Sequence, residues 1–231
     1  MAAKRFRKDR AGFPEMLVYL PDDRKAYVHW LPVTKIQFEY FLCDRPGVGF
    51  NQGRYEELLG ANDRISPREV TADNYWMAFL TAILPEEAQT FAGWCGEGGE
   101  APYVVPSAKE WFDTYQGLKG QPPLSPEALL AEWDALQLKP RLRTLIENVE
   151  RAAAQVQSRL GARTLADQLL LRQGVLEWVG CPNHVSGWGI LGQPNRRIRS
   201  GLFNIDAGQP THPSPRERFS AHGFRLIQPL P

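Results

Sequence analysis

The 231-residue chain is short of the residues that would announce several chemistries. Its three cysteines, Cys43, Cys95 and Cys181, show no CxxC spacing, so neither a disulfide framework nor a zinc ribbon is indicated and a reducing cytoplasm is the expected location. Cys43 and Cys95 lie among aromatic and aliphatic residues at the ends of predicted helices, which predicts buried, inert thiols. No run of about eighteen apolar residues occurs, which predicts no membrane-spanning helix and no membrane partner. Charge of one sign is also lacking: 27 Lys and Arg face 26 Asp and Glu, so no global field attracts nucleic acid or an acidic membrane. There is no glycine-rich phosphate loop. The basic run Lys4–Arg10 is followed by no apolar stretch, so it reads as a solvated arm over residues 1–14 rather than a secretory signal.

Apolar residues make up 43% of the sequence, enough to bury a substantial core, and residues 15–231 are expected to fold as one domain. Met16–Leu20 and Ala26–Trp30, separated by Pro21-Asp22-Asp23, predict a hairpin. Thr34 and Gln37 form a predicted capping box before a short buried helix; residues 46–74 read as loop with short helical turns and a second box at Ser66 and Glu69. Pro85 opens a helix that stops at Gly96–Gly99, and a strand at Tyr103–Pro106 leads into a third box, Ser107 with Glu110. Residues 125–171 turn Leu-, Ala-, Arg- and Glu-rich, and Leu142, Leu145, Ile146, Val149, Ala153, Val156 and Leu160 make a helical apolar stripe. That stripe is read as packing onto the parent domain, with docking of a partner helix as the alternative. A last helix is capped by Thr164 and Asp167.

Between Gly174–Val179 and Gly223–Leu226 the chain is crowded with proline and glycine, so a long loop over about 180–222 is expected to display side chains. The candidate ligand-binding set is Asn183, His184, Trp188, Asn195, Arg196, Arg197, Arg199, Phe203, Asn204, Asp206, His212, Arg216 and Arg218, a mixture suited to a protein partner. These arginines with Trp188 or Phe203 could also contact nucleic acid, but no recognition helix or RNA-binding signature accompanies them, and nucleic acid is not the expected partner. Glu177 is read as holding the loop through buried hydrogen bonds and Trp178 as core. Cys181 with His184 lacks a third ligand or an orienting acid at a recognisable spacing, so no catalytic residue and no metal ligand is assigned.

Several segments match one family in order. Val33–Leu42 resembles the "VTxxQFxxFL" segment of the formylglycine-generating-enzyme family, and Glu87–Trp94 is similar to its "EAxxFxxW" helix. Tyr103–Trp111 resembles "YRLPTEAEW", Val175–Val179 resembles "VWEWV", Arg199–Phe203 is a degraded "RGGSW", and Gly223–Ile227 resembles "GFRLV". These blocks span residues 33–227, so the resemblance implies an α+β, C-type-lectin-like fold of the formylglycine-generating-enzyme subclass, with a helical insertion at about 125–171.

The family's oxidases bind copper through two cysteines after "RGGSW", whereas residues 204–220 contain none, and Asn204, Asp206 or His212 cannot replace soft sulfur ligands without changing the metal. The ergothioneine-pathway relatives bind iron through closely spaced histidines of a helical domain, and the inserted helices here carry no histidine. The resemblance therefore implies a non-enzymatic, cofactor-free display scaffold such as the variable proteins of diversity-generating retroelements. The alternatives are a sensor domain of a bacterial conflict system and a metal-dependent oxidoreductase with an altered site at Cys181, His184, His212 and His222.

Overall fold

Asp22 and Asp23 both adopt left-handed φ, 61° and 57°, the backbone of a tight hairpin turn that matches the twist of paired strands. The flanking segments accordingly pair antiparallel, Glu15 opposite His29 and Tyr19 opposite Lys25, as the sequence predicts. The computed structural model describes residues 5–45, 52–61, 63–99, 101–160, 164–172, 174–192 and 210–230. In chain order its elements are β1 (Phe6–Lys8), β2 (Pro14–Tyr19), β3 (Lys25–His29), α1 (Lys35–Asp44), α2 (Gln52–Ala61), a 3₁₀ turn (Tyr75–Ala78), α3 (Pro85–Gly96) and α4 (Ala108–Leu118). There follow α5 (Pro126–Leu136), α6 (Pro140–Leu160), α7 (Leu165–Leu170), β4 (Leu176–Gly180), β5 (Trp188–Gly192), β6 (His222–Gly223) and β7 (Ile227–Leu230). One sheet has the order β1-β2-β3-β7 and a smaller one the order β5-β4-β6, so the architecture is mixed α+β.

Local signals set most helix starts. Thr34 with Gln37, Ser107 with Glu110 and Thr164 with Asp167 all form reciprocal capping boxes. Ser66 and Glu69 do not: the Arg68 and Glu69 amides bond back to Ser66, closing a turn that no helix extends. The expectation of loop over residues 46–74 also fails at α2, a ten-residue helix with the Tyr55 hydroxyl 2.8 Å from Glu39 Oε1. Tyr103–Pro106 is reduced to one bridge, Val104 to Ile227. Cys43 is exposed rather than buried, while Cys95 is in the core.

Residues 5–14 do not form a solvated arm. Phe6 and Phe13 are buried, and β1 pairs with β2, because burying the two rings outweighs the solvation of the charges between them. Phe6 meets Trp30 at 5.4 Å and Trp133 at 5.3 Å, which ties the first strand to α5 of the insertion. The stripe on α6 faces the same core: Leu142, Leu145, Ile146, Val149, Ala153 and Val156 are all buried, and Glu150 accepts the Trp30 indole N–H at 2.9 Å.

A polar seam runs beneath β2 and β3. Glu15 accepts the Tyr103 hydroxyl and pairs with Arg7; Asp9 accepts the Phe13 amide at 2.8 Å and the Gln37 side-chain amide at 3.0 Å. His29 Nε2 lies 3.4 Å from Asp9 Oδ2. Burial raises the Asp9 carboxyl to about 7, and burial aided by Arg225 and Arg7 lowers the His29 imidazole to about 3, so both groups favour their neutral forms.

Candidate ligand-display surface

The long excursion after β4 starts and ends on one sheet. Strand β4 pairs with β5 on one side and, in parallel, with β6 on the other, with Leu176 opposite His222 and Glu177 opposite Gly223. Glu177 and Arg225, each almost fully buried, lock this junction through two bonds: Arg225 Nε to Oε2 at 3.0 Å and a terminal nitrogen to Oε1 at 2.9 Å. The Trp111 indole N–H donates to Glu177 Oε2 at 3.3 Å, and the other terminal nitrogen of Arg225 donates to the carbonyls of His29 and Trp30. Trp178 is fully buried with its N–H on the Ile83 carbonyl at 2.8 Å, and Phe224 is buried against Phe91. The structural roles expected for Glu177 and Trp178 are those the geometry provides.

Beyond Gly180 the chain makes a tight turn. The Cys181 amide bonds the Gly187 carbonyl at 2.8 Å, and Gly187 at φ 70° supplies the left-handed residue that returns the chain into β5. The 180–222 segment thus includes a regular edge strand, Trp188–Gly192, despite its glycines: a Cβ at Gly189 would sit 2.7 Å from Pro210 and 3.0 Å from Cys181 Sγ, so glycine is what permits the close packing. The returning chain is pinned there by the Ile190 amide on the Thr211 carbonyl at 2.8 Å.

This packing brings together three of the expected residues. The His184 and His212 rings stack at 3.7 Å and 3°, and His212 Nδ1 lies 2.8 Å from the Trp188 carbonyl. A carbonyl only accepts, so that nitrogen carries the proton. The Ser186 hydroxyl reaches both His184 Nδ1 at 2.7 Å and the Trp188 carbonyl at 2.9 Å. Asn183, His212 and Arg216 are exposed, and Val185 projects wholly into solvent beside them. Val185 and Ser186 were not singled out in the sequence, where a small apolar residue and a serine in a turn carry no signal of their own.

Trp188 is half-buried, packed on the core rather than freely displayed. Arg218 also serves the scaffold: its guanidinium chelates Glu87 at 2.5 and 2.8 Å and donates to the Ala82 carbonyl at 2.8 Å. Asn195, Arg196, Arg197, Arg199, Phe203, Asn204 and Asp206 lie outside the described residues.

The chain matches no family model and no curated protein sequence. No described helix is long and apolar enough to cross a membrane.

Cys181, His184, His212 and His222 do not assemble into the altered metal site considered from the sequence. Among the described residues no group of three or more His, Cys, Asp or Glu side chains is placed to hold a metal ion. His222 is turned into the core, edge-on to Trp178 at 5.0 Å and against Phe219, and burial lowers it to about 4. Burial pushes the Cys181 thiol up, away from the thiolate that nucleophilic or ligating sulfur requires.

Proposed function

We propose that this protein is a non-enzymatic binder that presents the surface between β4 and β6 to a protein ligand, on a C-type-lectin-like scaffold of the formylglycine-generating-enzyme type. The observation that carries the reading is the anchored excursion. Both its ends lie on one small sheet clamped by the buried Glu177–Arg225 pair, while Asn183, Val185, His212 and Arg216 face solvent from it. A scaffold with rigid ends tolerates change in the side chains displayed between them, the property that variable proteins of diversity-generating retroelements exploit. The sheet that unites β1, β2 and β3 with β7 supports the lectin-like assignment, since it closes the fold around both ends of the described chain.

The test pairs stability with affinity. A triple variant, Asn183→Ala, Val185→Ala and Arg216→Ala, is expected to keep its melting temperature, because exposed substitutions shift stability by about 0.5 kcal/mol or less. A protein captured by the parent, identified and then purified, should bind the variant at least about tenfold more weakly by calorimetry, a loss of ~1.4 kcal/mol. Full affinity for the variant would place binding elsewhere and sink the reading; so would unfolding of the variant.

A further inference from the structure

The helical insertion contains a concavity remote in sequence from the display surface. It measures about 700 Å³ and is walled by Leu124, Leu129, Leu130 and Trp133, with Glu150 and Gln157 as its buried polar residues. That volume lies in the range of pockets that enclose small organic ligands, and a mostly apolar wall with a few convergent polar groups is their usual composition.

The two buried polar residues of the lining both offer acceptors, whereas its one guanidinium, Arg151, is exposed and donates to Asn148 Oδ1 at 3.0 Å. Both donors that reach Glu150, the Trp30 indole at 2.9 Å and Arg172 at 2.8 Å, bond to Oε1. Among the described residues Oε2 therefore accepts no bond, and it is absent from the unpartnered atoms that are sealed from solvent. Gln157 uses its amide N–H groups on the carbonyls of Asp167 at 3.1 Å and Leu171 at 2.9 Å, and no donor among the described residues reaches its oxygen. Glu147 adds a second carboxylate to the lining, already paired with Arg143. A ligand seated here meets acceptors that need a donor, and a charged donor bonds a carboxylate about twice as strongly as a neutral one.

We propose that this pocket binds a small molecule with an apolar, ring-sized body and a primary ammonium group, the body against Leu124, Leu129, Leu130 and Trp133 and the ammonium on Glu150 Oε2. A partner helix is the competing occupant. The buried acceptors favour the small molecule, because a helix laid on the surface would present its apolar ridge and leave those acceptors unfilled.

Three probes that share an indole ring discriminate these cases by calorimetry on the full chain: tryptamine, neutral indole-3-ethanol and anionic indole-3-acetate. Tryptamine should bind saturably at one site, indole-3-ethanol about tenfold more weakly and indole-3-acetate more weakly still. Glu150→Gln should bring tryptamine down to the level of the alcohol. Because Glu150 also holds Arg172, a second variant is needed. Leu130→Arg, at the partly exposed rim, should keep the parent melting temperature and abolish tryptamine binding. The proposal is overturned if tryptamine shows no saturable binding up to about 5 mM, if indole-3-acetate binds as well as tryptamine, or if Leu130→Arg leaves tryptamine binding intact. Saturable binding of a leucine-rich amphipathic peptide that tryptamine fails to displace also overturns it, and assigns the groove to a protein.

Discussion

Replacing Glu177 by leucine strands the Arg225 guanidinium in a site that is almost sealed from water. Arg225 keeps its bonds to the carbonyls of His29 at 2.6 Å and Trp30 at 3.2 Å but loses both bonds to the carboxylate. The Trp111 indole N–H loses its acceptor as well. Removing one partner of such a pair costs about 3 to 5 kcal/mol, because the remaining charge is buried without compensation. For a domain of this size each kcal/mol moves the melting temperature by about 2 to 4 °C, so a fall of roughly 6 to 20 °C is expected. Arg225→Met should cost a similar amount, since it leaves the Glu177 carboxylate buried with the Trp111 N–H alone. In the double variant no buried charge remains, and the residual cost is that of the His29 carbonyl and the Trp111 indole N–H, about 1 to 3 kcal/mol for each buried polar group left unpaired, while the Trp30 carbonyl keeps the Arg172 guanidinium at 3.5 Å. Urea denaturation of the four proteins gives the coupling energy directly, and a value above about 1 kcal/mol is expected for residues in such contact. Single substitutions that simply add in the double variant would refute the reasoning and show that Glu177 and Arg225 are held by their surroundings rather than by each other.

Asp9 and His29 give opposing pH dependences. Asp9, raised to about 7 in the folded state, contributes stability that is present at low pH and lost as pH rises from about 4 toward 7; His29, lowered to about 3, contributes stability present above about 6.5 and lost as pH falls toward 3. Denaturation of Asp9→Asn across this range should therefore show stability rising with pH between about 4 and 7 relative to the parent, and parallel curves would contradict the assignment. Arg218→Ala should lower the melting temperature rather than weaken ligand binding, because it leaves Glu87, almost buried, without its chelating partner. A variant of unchanged stability and reduced affinity would return Arg218 to the display surface.

Features written in neighbouring residues were legible in the sequence. Three capping boxes and the Asp22-Asp23 turn each need only a few residues to state their geometry, and all four form. The box at Ser66 failed because the turn that follows it ends in the extended chain before Thr71, with no apolar ridge to pull a helix onto the core. Conversely, Tyr55 and Leu58 have the spacing of a buried helical face, and that signal in α2 was outweighed by the glycines and prolines around it. Partners far apart in the chain stayed hidden. Phe6 reads as one aromatic in a basic run until Trp30 and Trp133 surround it, and Arg218 reads as a loop cation until Glu87, 131 residues away, comes beneath it. On the candidate surface the sequence located the buried anchors Glu177, Trp178 and Phe224 but not the strand at Trp188–Gly192. It could not foresee that a glycine at 189 draws Thr211 onto β5 and so stacks His184 on His212.

Strand β7 adds a constraint on how the chain reaches this state. Its register places Leu230 opposite Lys25 and Ile227 opposite Val28, so the β2–β3 hairpin can form from local sequence while one edge of β3 waits for a segment nearly the whole chain away. Closing a loop of that length is slow, and an open strand edge with buried-type residues such as Tyr27 and Val28 is a template for pairing with other molecules. Aggregation during refolding should therefore be governed by how fast β7 arrives. A synthetic peptide of residues 222–231, supplied in trans, would be the natural chaperone for that edge.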